Sequence, residues 1–240
     1  MNNCNVSESI NIPETAKIGN NVVIKDHVHL NDNVTIGNNV VIYEGVIIEE
    51  NVVIWDNVII GRVPMGVSTI KSKIQVGIGN TVIGKNSVIG CNSVIYTDVI
   101  IGNDTLISEN VVIRERSILM GENIVGPNSF IQKDCKIGRN TRIIQQSSLA
   151  SGTIIGENNF LSSAFTCVSD NTFGILGYSS QKVGPTIGDN NLIGPNVTIL
   201  DNLSVGNNNV IGAKALITKT IGSDGVYYGI PAKFVKSKQK

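Results

Sequence analysis

Proton-transfer chemistry in this chain would have to come from two carboxylates at recurring positions, Glu115 and Asp170, and from its two histidines, His27 and His29. A carboxylate can collect a proton or receive an ammonium group. A neutral imidazole is the commonest general base near pH 7. The histidines stand far before Asp170 in sequence; His29 directly precedes an inward residue and is expected to face out, and His27 falls at a corner, so both are expected on the surface. A zinc hydrase would need three histidines around an open metal position, and two are present. The four cysteines contain no CxxC pair, which excludes a thiolate metal site or a disulfide framework of the usual kind. Cys135 and Cys167 are expected buried as small apolar groups, with Cys91 at a turn and Cys4 in the N-terminal tail. No metal is expected.

What positions these groups is a repeat of six. Ile83, Ile89, Ile95, Ile101, Ile107, Ile113 and Leu119 begin a register that runs to Cys167 and Phe173, and Ile12, Ile18, Ile24 and Leu30 begin another that runs to Ile60. A third covers Ile187 to Ile217. Two places before each lies a mostly small or β-branched residue, and between the pairs come asparagine, aspartate and glycine, which tolerate positive φ. A period of six fits neither the 3.6 of a helix nor a hairpin meander. Each hexad therefore reads as a short strand and a corner, three hexads closing one triangular coil. About ten coils stacked at ~4.8 Å predict an all-β rod on the order of 50 Å long.

The register fails over 61–77, which carries Arg62, Lys71 and Lys73, and again over 174–186, which carries Tyr178 and Lys182. These are read as two loop excursions from one solenoid domain, 1–217, followed by a C-terminal extension, 218–240, with a turn at Pro231 and a short helix. Inward positions 95, 113, 131, 149 and 167 differ by 18 and so share one face. The corners after them stack as well: Thr97, Glu115, Lys133, Ser151 and Ser169, beside Asp98, Arg116, Asp134, Gly152 and Asp170. Glu115 and Asp170 thus lie on one edge, roughly 14 Å apart. Either Glu115 and Arg116 meet a bound substrate there, or Asp98, Arg116 and Asp134 form an axial ladder that offsets charge.

Nineteen basic and nineteen acidic side chains cancel, so the field that nucleic acid or an anionic membrane requires is missing. With no signal segment and no apolar run of ~20 residues, a cytoplasmic protein is expected.

The solenoid and its ending, Ile211-Gly212-Ala213-Lys214-Ala215-Leu216-Ile217-Thr218-Lys219 and then Gly229-Ile230-Pro231-Ala232-Lys233, resemble the hexapeptide-repeat acyltransferases. That resemblance implies a left-handed parallel β-helix, a homotrimer with its active site between neighbouring prisms, and acetyl-CoA or another acyl-CoA as co-substrate. More narrowly, Ser169-Asp170-Asn171 and the segment from Pro185 to Gly194 are similar to acetyltransferases of nucleotide-linked amino sugars, in which an Asn of this triplet helps to hold the reacting amine. The order here is Ser-Asp-Asn, so Asp170 falls where those enzymes have Asn and Asn171 where they have Asp. Ile113-Arg114-Glu115 through Met120 resembles the lipid A acyltransferases, with Met120 where their catalytic histidine would stand.

The resemblance implies N-acetylation of a nucleotide-activated amino sugar, with Asp170, Asn171 and Glu115 as the catalytic group. For CoA it points to Gly194, Gly212 and Ala213 beside the pantetheine arm and to Lys219, Pro231 and Lys233 near the phosphates. An uncharged amine attacks a thioester without prior deprotonation, so a carboxylate suffices to collect the proton. A sugar O-acetyltransferase is the nearest alternative, weakened because a hydroxyl needs a base. A non-enzymatic scaffold would leave both breaks and the C-terminal segment unexplained.

Overall fold

A computed structural model of the chain describes residues 3–66, 79–171, 175 and 184–238. Lys71, Lys73, Phe173, Tyr178 and Lys182 lie outside the described residues. The described chain forms three sheets of eleven, nine and twelve strands, here faces 1, 2 and 3, in which nearly all pairings are parallel. Most strands are two residues long, one outward and one inward, as Val112–Ile113 shows. Partners sit 18 residues apart, Ile95 beside Ile113 and Ile113 beside Ile131, so the edge predicted from the register exists. This is the left-handed parallel β-helix expected.

The inward side chains, Ile24 to Ile217, fuse into one apolar core. Cys135 and Cys167 are buried in it, and burial pushes both thiols up to about 12. Phe165 stands at a position otherwise taken by small residues and is fully buried; the small inward Cys167 two places on leaves it volume. Most corners have a left-handed residue, usually asparagine, spaced by six within each uninterrupted block. Asparagine adopts that conformation at lower cost than other non-glycine residues.

Face 1 holds eleven strands rather than about ten, because the first coil begins one hexad early, where Asn5–Val6 pairs with Val23–Ile24. At the end of the chain the turn expected at Pro231 is present, but a strand follows it rather than a helix. Lys233–Ser237 is a strand that runs antiparallel to Gly225–Tyr228 on face 3. Val226 and Tyr227 are already buried in the solenoid, and the Phe234 ring stands edge-on to Tyr227 at 5.7 Å, an arrangement that a strand pair supplies.

Candidate functional site

The chain passes from face 1 to face 2 around the 1–2 edge, from face 2 to face 3 around the 2–3 edge, and so on around the prism. Asparagine occupies most left-handed corners of the 2–3 and 3–1 edges, where side chains hydrogen-bond along the axis: Asn21 to Asn39 to Asn57, Asn51 to Asn86, Asn140 to Asn158. The 1–2 edge departs from this. Its left-handed residues are His27, Gly45, Asp98, Arg116, Asp134, Gly152 and Asn202. Arginine and histidine gain nothing there from the side-chain bonding that suits asparagine, so another demand has set these residues.

Both breaks in the repeat leave from this same edge. The strand pairs Ile47 with Val82 and Ile154 with Thr186 cross the two insertions, and each insertion follows a face 1 strand and precedes a face 2 strand. Between them stand four uninterrupted corners, centred on Asp98, Arg116, Asp134 and Gly152.

At the second of these corners Glu115 is 4% exposed. Arg114 donates to both its oxygens, Nε to Oε2 at 2.8 Å and Nη2 to Oε1 at 3.2 Å, and the Arg114 guanidinium lies 4.6 Å from the centre of the Tyr96 ring. Glu115 is therefore a partner of Arg114 rather than an open carboxylate. Arg116 makes a bidentate pair with Asp134 at 2.6 and 2.9 Å, whose hydrogen bond raises the arginine's pKa, with Asp98 adding a weaker electrostatic contribution. Of the expected axial ladder the Arg116–Asp134 rung forms, and Asp98 acts on Arg116 only at longer range.

Three coils above Glu115, Asp170 lies half-buried and Asn171 exposed where the second excursion begins. The Asn171 amide donates to the carboxylate of Asp201. Asp201 escaped the sequence reading, although the register of the third block carries the signal: Thr166 pairs with Thr198, which puts Asp201 one coil above Ser169. Tyr96 was likewise missed, as a single aromatic after an inward isoleucine. Lys219 sits exposed at the top of the same edge. His27 is on it as well, near the bottom, with Nε2 4.0 Å from Oε1 of Glu44; His29 faces out on face 2, as expected.

The residues expected to hold CoA fall elsewhere. Gly194, Gly212 and Ala213 are on the 3–1 edge, and Pro231 and Lys233 are exposed in the terminal hairpin. A Cβ on Gly194 would come within 2.7 Å of the Ala213 nitrogen, and one on Gly212 within 1.9 Å of the Tyr228 ring. Both glycine amides donate into the inter-coil ladder, to Ile211 and Tyr227. Stacking therefore demands these two glycines. Ala213 differs: it is exposed, and its N–H has no acceptor among the described residues. Pro127 and Pro195 occupy the same column of the edge, so the coil stack does not need that donor. Among the described residues no group of three or more His, Cys, Asp or Glu could hold a metal, and no helix is long and apolar enough to cross a membrane.

Residues 15–62, 80–115 and 184–219, together half of the chain, match the family model described as bacterial transferase hexapeptide (six repeats). The chain belongs to this family. A relative from Lysinibacillus sphaericus, a probable macrolide acetyltransferase, is 34% identical over 77 residues, which cover 28% of this chain and 43% of that protein. The hexapeptide chain thus spans less than half the length of that curated relative. Among solved structures it is similar to the Arabidopsis UDP-N-acetylglucosamine acyltransferase, with 17% identity over 98% of this chain and 73% of that one and a TM-score of 0.39. It is also similar to the serine acetyltransferase of Neisseria gonorrhoeae, with 23% identity over 45% and 40% and a TM-score of 0.39. Scores this low say nothing about activity.

Proposed function

We propose that this hexapeptide-family chain is an acyl-CoA-dependent acyltransferase that moves an acetyl group from acetyl-CoA to the amine of a nucleotide-activated amino sugar. The observation that carries the reading is the 1–2 edge: among its left-handed corners asparagine appears once, at Asn202, and both excursions leave from it. The local identity to an acetyltransferase supports the class of reaction. The amine nitrogen attacks the thioester carbonyl, the C–N bond forms as the C–S bond breaks, and the amine's proton passes to Asp170 or to the departing thiolate. Asn171, held by Asp201, orients the amine. Glu115 acts through Arg114 as a positioning residue.

Ala213, expected beside the pantetheine arm, is on the 3–1 edge, and the acceptor residues with Lys219 are on the 1–2 edge, at opposite sides of face 1. A groove between neighbouring prisms, in which the 3–1 edge of one copy meets the 1–2 edge of the next, brings both sets to one ligand, which favours a homotrimer. Bound CoA supplies the activated acyl group; Ala213 would hold the pantetheine arm through its open N–H, and Lys219 and Lys233 its phosphates as point charges.

One observation favours a second reading, transfer to a sugar hydroxyl. His27 shares the edge, with its Nε2 4.0 Å from a Glu44 carboxylate oxygen, and an imidazole can serve as the base that a hydroxyl needs. Incubation with acetyl-CoA and a panel of nucleotide-linked amino sugars and plain hydroxyl sugars, followed by free-thiol release, separates the two. Turnover confined to the amino sugars is expected. Turnover confined to hydroxyl acceptors, lost in His27→Ala, would establish the second reading, and no turnover with any acceptor contradicts both.

A further inference from the structure

Arg62 is the one residue at the foot of the 1–2 edge for which the solenoid breaks its own geometry. The face 1 strand Ile59–Arg62 has four residues where most others have two. Ile60 pairs with Ile95, but Tyr96 pairs with Arg62, so Gly61 and Arg62 together oppose one residue. Gly61 makes this bulge with φ +82, in a spot where a Cβ would lie 2.6 Å from Val46 Cγ2 and 3.1 Å from Tyr43 Cβ. A bulge of this kind re-aims the side chain that follows it. Here it carries the Arg62 guanidinium to 5.7 Å from the centre of the Tyr96 ring.

The other arginines of this edge are spoken for. Arg114 is held by Glu115 and Arg116 by Asp134, each through two hydrogen bonds. Arg62 is exposed, and no carboxylate among the described residues lies within ion-pair distance of it. A guanidinium ordered against a ring face has already lost part of its rotamer freedom, and its N–H edge remains available for two parallel bonds to an oxyanion.

We infer that Arg62, aimed by the Gly61 bulge and steadied by Tyr96, is a binding site for a phosphoryl oxyanion. Identifying that oxyanion with the diphosphate of the acceptor rests on the function proposed above; the site itself does not. Arg114, paired with Glu115 on the same ring, holds Tyr96 in place without competing for the anion.

The probe is inorganic pyrophosphate, titrated into 15N-labelled full-length protein while arginine Nε–H resonances are followed, with acetate at equal concentration as the comparison. Arg62→Ala is expected to weaken pyrophosphate binding about tenfold or more. Arg62→Lys, which keeps the stem and charge but not the fork, should weaken it several-fold, so that a fold defect in the alanine variant does not decide the matter. Arg142→Ala removes an exposed arginine from face 3 and should change nothing. Unaltered binding in both Arg62 variants overturns the inference. So do an equal loss in Arg142→Ala, acetate binding as tight as pyrophosphate, and no pyrophosphate binding by the unaltered protein. Thiol release from acetyl-CoA is read on the same preparations: Arg62-dependent pyrophosphate binding without turnover removes the acyltransfer reading and leaves the oxyanion site standing.

Discussion

The 2–3 edge and the 1–2 edge of this prism are built on the same hexads and differ in how much of each is given to asparagine. Along the 2–3 edge, asparagines bond to one another outside the coil. Inside it, Asn159 accepts from the backbone and side chain of Asn191, Asn191 from the backbone of Asn209, and Asn209 from Gly225. These rungs close amide and backbone partners from one coil to the next, beside two exposed ion pairs, Lys85 with Glu50 and Arg139 with Glu122. The 1–2 edge has ion pairs, an arginine–tyrosine stack, a histidine and two excursions. An edge that only had to hold coils together would repeat the asparagine solution, so the difference between the edges separates scaffold from candidate site.

Substitutions that cross this boundary should behave differently. The largest stability loss expected is for Arg114→Ala, which leaves the Glu115 carboxylate buried without its partner. We expect about 3 kcal/mol, read as a lower denaturation midpoint with unchanged slope. Asp170→Asn should leave stability within about 0.5 kcal/mol and lower turnover about 100-fold, roughly 2.7 kcal/mol of barrier. Equal turnover in that variant would remove Asp170 as proton acceptor. Asn191→Ala, on the scaffold edge, reverses the pattern: about 2 kcal/mol of stability lost through unsatisfied buried partners, with acetyl transfer per folded molecule unchanged. Arg116→Ala sits at the bottom of the scale. Its pair with Asp134 is exposed and contributes at most about 1 kcal/mol, so a larger loss would show that the axial ladder has a role beyond offsetting charge.

The regular part of this fold was readable because a period of six has a single structural solution, and counting in eighteens placed Glu115, Arg116 and Asp134 on one edge. What escaped has definite physical causes. Asp201 was hidden because an insertion shifts the third block out of the arithmetic that linked Thr97 to Ser169. Glu115 looked like an open carboxylate because its partner is the adjacent Arg114, and corner geometry, unlike strand geometry, lets neighbours in sequence turn toward each other. The glycines expected to cradle CoA proved to be required by stacking, since Tyr228 from the terminal hairpin fills the space beside Gly212. The turn at Pro231 was legible, but the strand after it was misread as a helix, because its stability comes from pairing with a strand already buried in the solenoid.

The most direct test of a functional 1–2 edge is a crystal structure of the protein with CoA bound. The account predicts the thiol sulfur beside that edge, within about 5 Å of the Asp170 or Asn171 side chain, with the pantetheine arm against Ala213 of the same or a neighbouring copy. A sulfur lying along the 2–3 edge, far from Asp170, would contradict it.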